Sequence, residues 1–187
     1  KLDVPYYFED YKEMIDTCDL DSIHICTPND THMDAALYAF EHGLHVICEK
    51  PMARDSNEAR IMLDAAEKSG KVHAINFHNR FYPMMHNLRN MIKDGELGDI
   101  YAVHGGYLQD WLLYETDFNW RITSKQSGKT RAISDIGSHW IDLAEYVIGQ
   151  KVTEVFAEFK CVYPTRRQMT AEGWKEVDVD TEDMAYI

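Results

Sequence analysis

The sequence lacks the features of several specialised protein classes. No stretch approaches the roughly 18 uninterrupted apolar residues of a membrane helix, and no basic segment followed by an apolar one marks a secretory signal. The four cysteines form no Cys-x-x-Cys pair, so we expect buried thiols rather than disulfides or a zinc knuckle. We therefore expect a cytoplasmic protein without a membrane partner.

Basic residues are also few and scattered. The formal net charge is −13 at pH 7, and the densest basic group is Arg166-Arg167. Such a chain repels nucleic acid and anionic lipid, so we expect no nucleic-acid partner. A hydrophobic content of 45% over 187 residues nevertheless predicts a globular core, in one domain or two incomplete ones.

The first part of the chain alternates short apolar runs with amphipathic stretches. We predict strands at 22–26, 46–48 and 72–77, and helices at 10–17, 31–42 and 56–69. Ser56 would cap the last helix, and Met33, Ala36, Leu37 and Phe40 would form the apolar stripe of the helix at 31–42. The order strand, helix, strand, helix, strand is typical of parallel βαβ units, so residues 1–80 predict a partial Rossmann-like sheet.

The pattern changes beyond residue 80, and we place a domain boundary near residues 78–82. The predicted elements are helices at about 84–93 and 138–148, strands at 100–108 and 152–163, a loop at 127–131, a charged polar stretch at 164–180 and a last strand from about residue 182. Strands separated by turns, with few helices, indicate an α+β domain with an open, mostly antiparallel sheet over residues 81–187.

One expected motif is absent. A complete dinucleotide-binding half begins with a strand, a Gly-x-Gly-x-x-Gly turn and a helix, followed by an acidic residue about 20 positions later. None of these is present, the chain opens at Lys1 without methionine, and it ends at Ile187 in what we expect to be mid-strand. We interpret the sequence as a fragment cut at both ends.

Charged residues follow the second predicted strand. Glu49, Lys50 and Pro51 come directly after Val46-Ile47-Cys48, at the carboxyl edge where open α/β sheets bind ligands. Pro51 biases Lys50 toward an extended backbone, which would hold the lysine in position. Taken alone, the tripeptide favours a solvated surface ion pair, and only the rest of the sequence favours a ligand site.

A polar turn follows the first predicted strand. Thr27, Pro28 and Asn29 would lie beside the Glu49-Lys50-Pro51 loop, because the carboxyl ends of parallel strands share one edge. The alternative for this turn is a helix-capping role, and His32 fits a surface histidine equally well.

A second cluster of polar residues lies at 134–142. In an α-helix Asp135, His139 and Asp142 would project from one face, placing a carboxylate beside an imidazole. Such a histidine can accept a proton near neutral pH, as the oxidation of an alcohol requires. Two alternatives remain open: a helix N-cap with a partly buried histidine, and a metal site, for which further ligands at recognisable spacing are missing.

Trp120-Arg121 is the third feature. Indole and guanidinium can stack on a flat ring or bind a phosphate. The alternative is a core aromatic residue beside a surface arginine.

Together these motifs resemble the Gfo/Idh/MocA family of nicotinamide-dependent oxidoreductases. Five segments carry the resemblance, in the family's order: 27–32, 45–53, 76–81, Trp120-Arg121 and 135–139. The resemblance implies a Rossmann domain followed by an α/β domain whose open sheet binds the sugar and often forms the oligomer interface. We therefore expect NAD or NADP as the cofactor and a homo-oligomer, a dimer or a tetramer.

The resemblance also implies roles for single residues. Lys50 would contact the substrate hydroxyl and the nicotinamide ribose, His139 would be the acid/base, and Asp135 would bind or polarise the substrate, with Arg80 also on the substrate side. The residues expected to line the cofactor are Thr27, Pro28, Asn29, His32, Glu49, Lys50, Trp120 and Arg121. Without the glycine-rich turn we expect this chain alone to bind dinucleotide poorly and to be inactive.

The implied reaction is reversible hydride transfer between a carbinol carbon of a sugar or cyclic polyol and the nicotinamide ring. It requires Lys50 and His139 to converge on one alcohol. Two alternatives remain: a non-catalytic sugar-binding or assembly module of the same fold, and a metal-assisted lyase or hydrolase that uses Asp135 and His139.

Overall fold

The computed structural model describes residues 4–187, which form two compact units. The first ends at Asn76 and the second begins at Phe77, against a predicted boundary near residues 78–82. Within residues 4–187 no helix has both the length and the hydropathy needed to cross a bilayer.

The first unit contains a three-stranded parallel sheet in the order β1-β2-β3. Ile23 pairs with Val46, and Ile47 pairs with Ala74. Its elements in chain order are α1 (Tyr11–Thr17), β1 (Ser22–Ile25), a 3-10 turn (Asn29–Thr31), α2 (His32–Glu41), β2 (His45–Cys48), α3 (Ser56–Ser69) and β3 (His73–Ile75). The predicted alternation of parallel strands and helices is confirmed.

The core of this unit lies between the sheet and its helices. Alternate strand residues point inward, so Ile23, Ile25, Val46 and Cys48 are buried. The predicted stripe of α2 is partly wrong, because Met33 and Leu37 are only half-buried. The buried residues of α2 are His32, Ala35, Ala36, Ala39 and Phe40. Alanine side chains are small, so the face of α2 that carries them can pack closely in the core. The buried face of the helix is therefore centred on the alanines.

The N-cap of α3 is Asp55, and the predicted cap at Ser56 is wrong. The Asp55 carboxylate accepts hydrogen bonds from the backbone N–H groups of Asn57 (2.8 Å) and Glu58 (3.0 Å). Asp55 has the extended backbone that a cap requires, whereas Ser56 is the first helical residue. Gly70 ends the helix at a φ of 65°, as predicted for a C-terminal glycine.

The second unit combines helices with short antiparallel strands. Its elements are a 3-10 turn (His78–Phe81), α4 (Pro83–Lys93), a 3-10 turn (Trp120–Ile122), α5 (Ser124–Ser127), a π-helix (Ala132–Gly137), α6 (Ser138–Ile148), β4 (Glu158–Lys160), β5 (Thr165–Thr170), β6 (Gly173–Asp178) and β7 (Met184–Tyr186). The strands pair as β4 with β7 and β5 with β6, both antiparallel. The predicted α/β class and the helix at 138–148 are confirmed.

Of the predictions for this unit, the strands at 100–108 and 152–163 and the bounds of the loop at 127–131 are wrong. Residues 100–108 form no strand, because no neighbouring strand within residues 4–187 pairs with them, and only Glu158–Lys160 of the predicted strand 152–163 is paired. The charged stretch 164–180 is a hairpin, in which Gly173 takes a φ of 112° at the turn. Ser127 closes α5, so the predicted loop is one residue shorter.

The two candidate caps of α3 can be separated by substitution. We expect Asp55→Ala to lower the free energy of unfolding by about 1 kcal/mol, because two N–H groups lose their acceptor. Ser56→Ala should change it by no more than about 0.5 kcal/mol. Urea unfolding followed by circular dichroism measures both, and an equal loss in the two variants would contradict this assignment.

Candidate functional site

The carboxyl edge of the parallel sheet gathers the polar loops predicted there. The loops that begin at Thr27 and Glu49 follow β1 and β2 directly. The N–H of Glu49 donates to the carbonyl of Ile25 (2.9 Å), and the N–H of Asn76 donates to the carbonyl of Cys48 (2.8 Å). These bonds continue the ladder past the strands, so the three strand ends lie side by side.

His32 joins two of these loops from beneath. Its Nδ1 lies 3.0 Å from the carbonyl oxygen of Pro51, and its Nε2 lies 2.9 Å from that of Thr27. The side chain is completely buried. The burial contradicts the alternative of a surface histidine, and the two contacts hold the loops that begin at Thr27 and Glu49 in position. The expected cofactor contact of His32 stays a prediction.

Glu49 is held in place by its neighbours. Its Oε1 accepts a hydrogen bond from the side-chain amide of Asn76 (2.6 Å), and its Oε2 accepts one from the N–H of Lys50 (3.3 Å). Lys50 is half-buried, and the Lys50–Pro51 peptide bond is cis. Asn76 was not among the predicted site residues, although its place after β3 matches that of Glu49 after β2.

Cys48 precedes this loop at the buried end of β2. Burial raises the pKa of its thiol to about 12. The thiol is therefore neutral at physiological pH and acts as a small apolar core residue, as predicted.

In the second unit, Trp120, Arg121 and Asp135 lie together. Arg121 Nε is 3.4 Å from Asp135 Oδ1, and the guanidinium carbon is 4.3 Å from the centre of the Trp120 ring. The Asn119 side chain caps this turn by accepting from the N–H of Arg121 (3.2 Å). The pairing of indole and guanidinium in the sequence thus corresponds to stacking in the structure.

His139 is buried near the start of α6 and is surrounded by rings. The ring centres of His78, Phe77 and Tyr107 lie 5.0, 6.0 and 6.1 Å from its own. The sequence showed Phe77 and His78 as part of a motif but gave no reason to place them beside His139. Tyr107 comes from the segment 100–108, which was wrongly predicted as a strand.

The two carboxylates that flank His139 in the sequence have separate arginine partners. Asp135 pairs with Arg121, while Asp142 accepts from Nε of Arg80 at 2.6 Å and from a second guanidinium nitrogen. Residues 132–137 form a π-helix, whose wider turn departs from the α-helical spacing used in the prediction.

Arg80 was predicted to bind substrate. Its hydrogen bonds to Asp142 raise the pKa of its guanidinium, and its guanidinium carbon lies 5.4 Å from the centre of the Tyr146 ring. Arg80 therefore fastens its turn to α6, a contact that the sequence did not reveal, and its expected substrate contact stays a prediction.

The metal alternative lacks a ligand set. Within the part of the chain that the structure describes, no group of three His, Cys, Asp or Glu side chains is arranged to hold a metal ion. Asp135 and Asp142 instead pair with arginines.

Two buried arginines organise the segments around the π-helix. Arg166 is 1% exposed and donates to the backbone carbonyls of Leu112 (2.9 Å) and Tyr114 (2.6 Å), and to Asp183 (2.9 Å). Arg131 also pairs with Asp183. Adjacent residues of a strand point to opposite faces, so in β5 Arg166 is buried while Arg167 is exposed.

A cavity of about 500 Å³ lies beside this network, lined mainly by apolar groups from the segment 105–113, the π-helix and β7. Trp140 contributes to its wall, and a Cβ at Gly105 would lie 2.9 Å from the indole nitrogen of Trp140. His139 and Asp135 are not among its lining residues.

Two family descriptions match the chain in succession. A family described as "Oxidoreductase family, NAD-binding Rossmann fold" matches residues 1–77, and the GFO/IDH/MocA C-terminal domain matches residues 85–187.

Similar proteins are sugar dehydrogenases. Levoglucosan dehydrogenase of Pseudarthrobacter phenanthrenivorans is 37% identical over 95% of this chain and 48% of its own length. D-glucoside 3-dehydrogenase of Escherichia coli is 35% identical over 76% of this chain and 40% of its own length. A solved levoglucosan dehydrogenase complex with NADH and levoglucosan has a TM-score of 0.86 at 32% identity, over 95% of this chain and 46% of that one. The chain spans about half the length of these relatives or less.

The positioning role of His32 can be tested by its contribution to stability. We expect His32→Ala to cost about 2–4 kcal/mol of unfolding free energy, because a buried side chain that bridges two backbone carbonyl oxygens is lost. His24→Ala, at an exposed position of β1, should cost no more than about 0.5 kcal/mol. Urea unfolding measures both, and equal losses would argue against this role.

Asp183 gives a prediction for acid stability. Burial would raise the pKa of Asp183, but the N–H groups of Val162 and Tyr163 and the guanidinium of Arg166 outweigh it, so the pKa is lowered. The stability this carboxylate provides is therefore present above its unfolded pKa of about 3.9 and is lost as the pH falls through its lower folded value.

We expect Asp183→Asn to lower the Tm at pH 7, and the difference from wild type to shrink as the pH falls below about 4. Asp178→Asn, at an exposed carboxylate of β6, serves as the control and should follow the wild-type curve. Thermal unfolding between pH 7 and pH 2 measures the effect, and a difference that stays constant would contradict the assigned pKa.

Proposed function

Since this chain belongs to the Gfo/Idh/MocA family of NAD-binding oxidoreductases, we propose that the whole protein oxidises or reduces a sugar or cyclic polyol. Hydride passes reversibly between a carbinol carbon and NAD or NADP. The observation that carries the proposal is the similarity, over 95% of this chain, to a sugar dehydrogenase whose solved complex contains NADH and levoglucosan. We further propose a cytoplasmic homo-oligomer, a dimer or a tetramer.

The donor set at the sheet edge fits a nicotinamide dinucleotide. The hydroxyl of Thr27, the amide of Asn29 and the ammonium of Lys50 follow neighbouring parallel strands, the place where such sheets bind nucleotides. These groups suit ribose hydroxyls and amides. When bound, the cofactor supplies the hydride chemistry, and the loops fix its orientation through His32 and the Glu49–Asn76 hydrogen bond.

Lys50 is proposed to contact the substrate hydroxyl and the nicotinamide ribose. It is half-buried at a strand end, next to a carboxylate that Asn76 holds in place. A cation fixed there stabilises the negative charge that develops on the oxygen as the alcohol loses its proton. A positioned ammonium does this better than a mobile one, because it needs no reorganisation during the reaction.

His139 is proposed to accept the hydroxyl proton in oxidation and to return it in reduction. Imidazole is the side chain that exchanges protons most readily near neutral pH. Its ring is restrained by contacts with Phe77, His78 and Tyr107. Asp135, held by Arg121, is proposed to bind a second substrate hydroxyl.

Trp120 and Arg121 are proposed to approach the nicotinamide or its phosphates. Stacking on Trp120 and pairing with Asp135 restrict the guanidinium to a narrow range of positions. Arg121 would therefore approach the cofactor while it holds Asp135, the carboxylate that is proposed to bind substrate.

The proposal is tested with the whole protein, NAD or NADP, and a panel of levoglucosan, glucosides and inositols. We expect a substrate-dependent change in nicotinamide absorbance. Lys50→Met and His139→Asn should each lower kcat by about 10²–10⁴-fold, because each removes a group that acts on the reacting hydroxyl. Lys175→Met, at an exposed lysine of the hairpin β5–β6, is the matched control and should keep wild-type turnover.

Sugar binding without any absorbance change would contradict the proposed reaction and would favour the non-catalytic sugar-binding module. Turnover that survives either substitution would remove that residue from the mechanism. Circular dichroism and Tm of each variant separate lost chemistry from lost folding.

A further inference from the structure

The π-helix Ala132–Gly137 has an unusual N-terminal cap. The first N–H groups of any helix lack acceptors within it, and a nearby side chain usually supplies one. Here the N-cap residue, Arg131, makes no side-chain cap hydrogen bond. The acceptor comes instead from Glu182, 51 positions later in the chain.

Glu182 binds two backbone N–H groups at this point. The N–H of Arg131 lies 3.0 and 2.9 Å from its two carboxylate oxygens, and the N–H of Ile133 lies 2.9 Å from Oε1. Glu182 is only 7% exposed, so water competes little for these bonds. A negative charge at the start of a helix is also favoured by the helix dipole.

The adjacent carboxylate fixes the same residue through its side chain. Asp183 pairs with the guanidiniums of Arg131 and Arg166, and it accepts from the N–H of Val162 (2.6 Å) and Tyr163 (3.2 Å). Arg131 is therefore held at its backbone by Glu182 and at its guanidinium by Asp183. The start of the π-helix has little freedom to rotate or shift.

The π-helix carries the proposed substrate-binding residue and leads into the proposed acid/base. Asp135 lies within it, and α6 follows without a break, so His139 is its second residue. A π-turn contains more residues than an α-turn. If it relaxed to α-helical geometry, the directions in which Asp135 and His139 project would change.

We propose that Glu182 is a positioning residue for the reaction, which fixes the start of the π-helix and thereby the directions of Asp135 and His139. This inference rests on the proposed function for the roles of those two residues. Glu182 need not touch substrate or cofactor, because it acts through the backbone of Arg131 and Ile133.

The test compares Glu182→Ala, Glu182→Gln and the control Asp180→Ala in the whole protein. Asp180 lies in the same stretch and also binds a backbone N–H, that of Ser124 at 2.6 Å, but it caps α5, which carries no proposed catalytic group. Glutamine keeps one acceptor oxygen for the N–H groups of Arg131 and Ile133, so it should rescue part of the function.

Two readouts are measured on the same samples. We expect Glu182→Ala to lower kcat by about 10- to 100-fold, as a displaced catalytic group does, with Glu182→Gln intermediate and Asp180→Ala close to wild type. The second readout is acylation of histidines by diethyl pyrocarbonate, followed by peptide mass spectrometry, which needs no turnover. Wild-type His139 should react slowly, since it is 5% exposed, and several-fold faster in Glu182→Ala.

His32 of the first unit, which is completely buried, serves as the internal reference for folding. Faster labelling of His139 with unchanged labelling of His32 supports the proposal. Wild-type labelling and kcat in Glu182→Gln and Glu182→Ala would overturn it. Faster labelling of His32 in Glu182→Ala would mean that this variant is partly unfolded. The decision would then rest on Glu182→Gln: faster labelling of His139 and a lower kcat would support the proposal, and wild-type values would overturn it. A wild-type protein without turnover would refute the proposed function, while the labelling result would still stand as a test of the positioning role.

Discussion

Buried side chains that bind the backbone of distant segments hold both candidate regions in place. In the first unit, the ring nitrogens of His32 lie within hydrogen-bond distance of the carbonyl oxygens of Thr27 and Pro51. In the second, Glu182 accepts hydrogen bonds from the N–H groups of Arg131 and Ile133. Leaving one such buried group without a partner costs about 1–3 kcal/mol, more than a typical hydrogen bond contributes. Releasing either segment would leave such a group unpaired, so both segments are held in place. The side chains that are proposed to carry the chemistry are restrained with them.

This arrangement separates the residues that are proposed to contact ligands from the residues that position them. Lys50, Thr27 and Asn29 stand at the sheet edge, while His32 and Asn76 lie behind them and set their geometry. In the second unit, Arg80 holds α6 through Asp142. Such support is what a reacting group requires, because an error of about 1 Å in its position can cost a hundredfold in rate.

The sequence predicted the parts of the structure that follow from the period of its apolar residues. Alternating strands and helices placed Thr27 and Glu49 at one edge, because parallel strands leave their carboxyl ends together. It did not identify the N-cap of α3, because Asp55 and Ser56 can both cap a helix and the choice between them depends on backbone angles. The prediction of a strand at residues 100–108 also failed. The apolar pattern there is typical of a strand, but a strand forms only when a second strand pairs with it.

Long-range polar contacts were the least predictable features, and the charged stretch 164–180 shows why. It was predicted only as a charged polar stretch. Arg166 within it is nevertheless buried, because the backbone carbonyls of Leu112, Tyr114 and Asp117 and the carboxylate of Asp183 accept hydrogen bonds from its guanidinium. A buried arginine is tolerable only with such a full set of acceptors, and three of them are carbonyls from a segment without clear periodicity. Every residue has a backbone carbonyl, so the residue types in a sequence do not show which carbonyls accept hydrogen bonds from an arginine. A strand pattern can indicate that the arginine faces inward, but it does not identify its acceptors. The residues that align the proposed catalytic groups are therefore harder to find than the groups themselves, although the geometry of the site depends on both.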